Sequence, residues 1–79
     1  MERYNHKIGK TVIPFAVKHD GWGIVTGYTF GNMEIKKNKH PYGYKWDVLR
    51  DGEYITSAGT RSAAMTKAVD IYLEDVRLY

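Results

Sequence analysis

The sequence predicts an α+β domain, an antiparallel meander of about five strands with one C-terminal amphipathic helix packed on one face. Three observations carry this. Apolar residues alternate with a period of two over most of residues 11–58. Three two-residue turn signals, Asp20-Gly21, Gly31-Asn32 and Asp51-Gly52, punctuate that stretch. Met65, Ala68, Val69, Tyr72, Leu73 and Val76 then recur with helical spacing.

Residues 1–9 show no clear pattern and read as a short lead-in. From Thr11 to His19, Ile13, Phe15 and Val17 share one face, and Pro14, which cannot donate to a ladder, marks an edge strand. Asp20-Gly21 suits a type I′ turn, where both central residues need positive φ. The strand Trp22–Phe30 then places Trp22, Ile24, Thr26, Tyr28 and Phe30 on one face. A two-residue loop pairs Val17 with Ile24, Phe15 with Thr26 and Ile13 with Tyr28. Gly31-Asn32 pairs Phe30 with Met33 and Tyr28 with Ile35 on the same face. The opposite face holds Gly23 and Gly27 beside Val12, Pro14, Ala16, Val25 and Thr29. Glycines there mark sheet bending, the close approach of another backbone or a smooth platform for a partner.

After Ile35 the alternation breaks, and residues 36–43 read as a loop. The second hairpin opens at Tyr44. With the turn at Asp51-Gly52, Arg50 faces Glu53, Leu49 faces Tyr54 and Val48 faces Ile55, so that Tyr44, Trp46, Val48 and Ile55 form its core face. Thr60 is a natural N-cap. The helix, about residues 60–77, carries Tyr79 as a continuation of its apolar stripe, and Ala63, Ala64 and Ala68 let it lie close to a sheet. Lys67, Asp70, Glu74 and Arg77 fall on its other side.

Seventy-nine residues allow one small domain with one core, and aromatics, 14% of the chain, must carry much of its burial. Without cysteine there is no disulfide framework and no thiolate metal site. No apolar run is long enough to span a bilayer, and the N-terminus lacks the apolar region of a signal peptide; a cytoplasmic protein is the expectation. The net charge of +3 is unevenly spread. Residues 1–42 hold seven Lys/Arg against three acids, whereas residues 43–79 hold five against six.

Signals for catalysis are poor. His6, His19 and His40 are scattered without metal-ligand spacing, and Asp20 beside His19 is explained by turn chemistry. Gly21, Gly23 and Gly27 miss the phosphate-loop spacing and open a strand. No carboxylate pair or nucleophile motif can be assembled, so no enzyme, cofactor or metal is expected. The richest local feature is Lys36–Lys45. Lys36, Lys37, Lys39, His40, Tyr42 and Lys45 combine cations that neutralise phosphates with an aromatic that stacks on bases. Tyr44 and Trp46 belong to the expected core, which leaves Tyr42 as the free ring. A lysine-rich turn is also an ordinary way to keep a sheet edge soluble. Arg61, at the first helical position, opposes the helix dipole and is a candidate anion ligand.

The segment Gly59–Ala68 is similar, in Thr60, Arg61, Ala64 and Ala68, to the start of the second helix of double-stranded RNA-binding domains. The lysine pair and first helix of that family are absent, the alanines are explained by helix–sheet packing, and no function is carried across.

Two readings follow. The first is a small non-catalytic protein-interaction or inhibitor module, of the kind found among phage and mobile-element accessory proteins, that occupies a partner's surface. Its tyrosines and tryptophans are favoured interface residues, and the acidic strip Asp70, Glu74 and Asp75 lies away from the basic stretch. The second is a nucleic-acid-binding domain using the basic stretch. A homodimer through an edge strand or the glycine-bearing face is a further arrangement the pattern allows.

Overall fold

The computed structural model describes residues 2–77, the side chains of residues 76 and 77 excepted. Among the described residues the chain forms six strands and one helix: β1 (Arg3–Ile8), β2 (Thr11–His19), β3 (Val25–Phe30), β4 (Met33–His40), β5 (Gly43–Arg50), β6 (Glu53–Ala58) and α1 (Arg61–Arg77). The strands lie in chain order in one antiparallel sheet, and α1 packs on one face of it. The architecture is the α+β meander that the alternation predicts, with one strand more.

The extra strand is β1, where the lead-in was expected. Tyr4, His6 and Ile8 alternate with Asn5 and Lys7, and a turn at Gly9-Lys10, with Gly9 at φ 60, sets Tyr4 opposite Phe15 and His6 opposite Ile13. A polar residue at the middle position hid the period. His6 is nonetheless buried, its ring edge-on to Phe15 at 6.1 Å and its Nε2 3.0 Å from Thr66 Oγ1 on the helix. With β1 in place, β2 is an interior strand and not the edge that Pro14 suggested. The proline is tolerated because the β2–β3 ladder runs from Ala16 to His19, so at Pro14 the strand is paired on one side, to Asn5 of β1.

The Gly31-Asn32 turn holds the expected register, with Phe30 opposite Met33 and Tyr28 opposite Ile35. Gly31 has φ 58, and a Cβ there would lie 2.7 Å from the ring of Tyr72, which packs edge-on to Phe30 at 4.9 Å. Asp51 and Gly52 have φ 53 and φ 83, as a type I′ turn requires. Arg50 faces Glu53 and Leu49 faces Tyr54, but a bulge beyond Leu49 sets Val48 opposite Thr56, not Ile55. Ile55 is accordingly exposed rather than part of the core. Although the two residues face each other, the Arg50 side chain forms its ion pair elsewhere than with Glu53. Its guanidinium reaches Asp75 on the helix at 3.0 Å.

The first hairpin departs further. Its loop is Asp20–Ile24 rather than two residues, and Val17 faces Tyr28 while Lys18 faces Gly27. The shift from the expected pairing is four residues. An even shift preserves the faces, so Phe15, Val17, Tyr28 and Phe30 still point to the core, but Trp22 and Ile24 are released into the loop. Of the two outer glycines, Gly23 sits in this loop at φ 79. Gly27 answers a close approach, since a Cβ there would lie 2.7 Å from the Ile35 carbonyl oxygen.

The core is Phe15, Tyr28, Met33, Ile35, Val48 and Ala58 from the sheet against Ala64, Met65, Ala68 and Val69 from the helix. Ile71 and Tyr72 flank it, whereas Leu73, expected in the stripe, is exposed. The expectations for Val76, Arg77 and Tyr79 lie outside the described residues or side chains. Thr60 caps the helix, its Oγ1 accepting from Ala63 N at 3.2 Å and its carbonyl from Ala64 N at 3.1 Å. No helix among the described residues is long and apolar enough to cross a membrane.

Candidate functional site

The expected loop at residues 36–43 is a β-turn between two long strands. His40-Pro41-Tyr42-Gly43 has proline at the second turn position and Gly43, at φ 120, at the fourth, the grammar of a type I turn. The ladder runs from Met33↔Arg50 through Lys37↔Trp46 to His40↔Gly43. β3 pairs with β4 no further than Lys36, and β6 pairs with β5 no further than Trp46. The outer part of the hairpin is therefore a two-stranded arm extending beyond the sheet.

An isolated hairpin is marginal in water, so the arm needs anchors. Asp47, buried at its root on β5, supplies one. Its Oδ2 accepts from Asn38 Nδ2 at 2.6 Å, and its Oδ1 lies 3.0 Å from His40 Nε2. On the opposite face the ammonium of Lys37 sits 5.1 Å above the ring of Tyr44, a cation–π contact.

Six of the seven expected site residues come together on this arm. Lys37 and Lys39 share the helix-side face with Tyr44. Lys36, Lys45 and His40 alternate onto the outer face, and Tyr42 crowns the turn, 96% exposed. Tyr44, expected in the core, is 63% exposed, because the arm reaches beyond the helix that would have covered it. Trp46 at the root is half-buried and packs on Tyr28 at 6.1 Å. His40 is tied into the Asp47 anchor, and Lys36 lies 3.8 Å from Glu34, which also binds Lys18 at 2.7 Å. Among the described residues, Lys37, Lys39 and Lys45 belong to no ion pair.

Arg61 is not part of this surface. Its Nη2 donates to Tyr4 Oη at 2.9 Å and its Nη1 to Tyr28 Oη at 3.2 Å, with the guanidinium over both rings at 4.3 and 5.6 Å. The Tyr28 hydrogen bond leads in raising its pKa above the ordinary value, against burial, which lowers it. Arg61 thus ties the start of α1 to β1 and β3, and two of its five donors are already used.

Trp22, which the alternation assigns to the apolar face of a strand, lies outside that face. It stands 89% exposed in the β2–β3 loop, and the same loop exposes Ile24. The signal was present in Gly21-Trp22-Gly23, a tryptophan between two glycines, where a turn is easier to continue than a strand. Among the described residues there is no pocket and no cluster of three or more metal-ligating side chains. No known protein family, curated protein or solved structure matches the chain.

Proposed function

We propose that the protein is a non-catalytic binding module that holds nucleic acid on the β4–β5 arm. One observation carries the reading: the arm joins exposed lysines to exposed tyrosines on a single projecting element. From the sequence alone the protein-interaction reading leads, on the tyrosine richness, the charge layout and the lack of catalytic residues, and the basic stretch has Tyr42 as its one free ring. With Tyr44 exposed between Lys37 and Lys39, both components of single-strand or backbone recognition are present at one place. Ammonium groups meet phosphates, and the rings offer π-faces that any base can stack on.

The test is binding of short labelled DNA and RNA by fluorescence anisotropy at several salt concentrations. Affinity should fall steeply with salt. Replacing Lys37 and Lys39 together by alanine should flatten the slope of log K against log salt by about 1.4, as for two lost contacts to a single strand. Absence of binding at low salt would sink the reading. The same tyrosines and Trp22 would then serve as anchors for a protein partner, and the surface-occupying inhibitor would be the function to pursue.

A further inference from the structure

We infer that the ligand is single-stranded and lies across two hairpin tips at once, with Trp22 stacking on a base while the β4–β5 arm holds phosphates. This rests on the nucleic-acid reading above and adds a site to it. In a meander every second turn falls at the same end of the sheet, so the Asp20–Ile24 loop and the Pro41-Tyr42 turn project from one end. Two strands, β3 and β4, separate β2 from β5, so the hairpin axes stand about 10 Å apart at the sheet spacing.

The two tips differ in chemistry. At the base of the Trp22 loop Lys18 is paired with Glu34 at 2.7 Å, and His19 Nε2 lies 3.0 Å from Glu2. The loop itself offers an indole and the aliphatic Ile24. The arm, by contrast, offers Lys37 and Lys39 beside Tyr44. The Trp22 loop is also held in shape before any ligand arrives. Asp20 Oδ1 accepts from Trp22 N at 2.8 Å and from Ile24 N at 3.0 Å, Asp20 N donates to the Ile24 carbonyl at 2.9 Å, and Gly23 N donates to the Asp20 carbonyl at 3.2 Å. The backbone is fixed and the indole is left outside, so stacking requires little further ordering of the chain.

Rings displayed in this way reach bases that are unpaired. In a duplex the base faces are occupied by their neighbours, and an exposed indole has nothing to stack on. The surface is therefore suited to an unpaired strand, with the salt-dependent part of the affinity on one tip and the salt-independent part on the other.

The experiment compares wild type, Trp22→Ala and the Lys37→Ala/Lys39→Ala double variant. Each is titrated into a labelled thymidine strand of roughly 15 nucleotides, within the span of small single-strand sites, and into a duplex of equal length. The expected result is a preference of wild type for the single strand. Trp22→Ala should weaken that binding about tenfold with an unchanged salt slope, whereas the lysine variant flattens the slope. Quenching of tryptophan emission by the strand should largely disappear in Trp22→Ala. Because Trp22 is exposed, its denaturation midpoint should match wild type, which separates lost stacking from lost folding. Equal binding of duplex and single strand, or wild-type affinity in Trp22→Ala, would overturn the inference while leaving the arm as a nucleic-acid site. Failure of wild type to bind either probe at low salt would remove both.

Discussion

The helix-covered body of the sheet and the β4–β5 arm are built from the same pattern, yet they use their aromatic residues in opposite ways. In the body, Phe15 packs on Phe30 and Phe30 on Tyr72 of the helix, and Phe15 and Tyr28 are buried in one core with the helix side chain Met65. In the arm, Tyr44 and Lys39 stand opposite each other in solvent, and the anchoring falls to polar groups, Asp47 with Asn38 and His40. Hydrophobic burial holds the first region and hydrogen bonding to one buried carboxylate holds the second. Stability and surface chemistry are thereby assigned to separate parts of one sheet, and substitutions should separate them.

The largest effect belongs to the body. Phe15→Ala empties a fully buried position and should cost about 3–5 kcal/mol, enough to unfold much of a domain this small, measured by denaturant titration. A cost below about 1 kcal/mol would mean that the core is not centred there. Trp46→Ala, at the junction of the two regions, should cost less than Phe15→Ala because the indole is half-buried. Next comes Gly31→Ala, which forces a side chain into positive φ and against Tyr72. It should destabilise by at least about 1–2 kcal/mol, and a neutral result would show that the turn differs from the one described. In the arm, Asp47→Ala should speed hydrogen exchange of amides in residues 38–45 while those of β3 and the buried helix face keep their protection. Uniform acceleration throughout the sheet would mean that the arm does not open as a unit. The smallest effect should come from the partly exposed Arg50–Asp75 pair. Asp75→Asn is expected to change stability by no more than about 1 kcal/mol, with the difference shrinking in salt.

Where local chemistry sufficed, the sequence could be read closely. Gly31-Asn32 and Asp51-Gly52 fall at the turns expected, because a two-residue loop with positive φ leaves few alternatives. Thr60 caps the helix as its hydroxyl suggests. The departures have separate causes. β1 was hidden because His6 looked polar but is buried against Phe15 and Thr66, a partner sixty residues away. The arm reads as a loop because Lys37 and Lys39 occupy the positions that continue the apolar face of Ile35, although Pro41 and Gly43 spell out a turn. The Trp22 loop was shortened because Asp20-Gly21 resembles a complete two-residue turn, whereas the Asp20 side chain closes a longer one. Of the candidate site, the six residues of the arm were legible as a cluster. Trp22 and the exposure of Tyr44 were not, and Arg61 was assigned a ligand where the fold gives it Tyr4 and Tyr28.

By itself the sequence determined the periods, the turns that depend on positive φ, the helix cap and therefore the antiparallel meander with its single helix. These are properties of neighbours along the chain. The tertiary structure alone decided which aromatics are covered. Past the strands that flank it the β4–β5 hairpin runs on alone, and the helix packs on β4, β5, β6 and β1 within the body of the sheet. Val48 falls beneath it and is buried, while Tyr44, in the same strand and on the same face, lies beyond its reach and meets solvent. Alternation assigns a residue to a face of the sheet, but the position of the covering element assigns it to the core or to the surface.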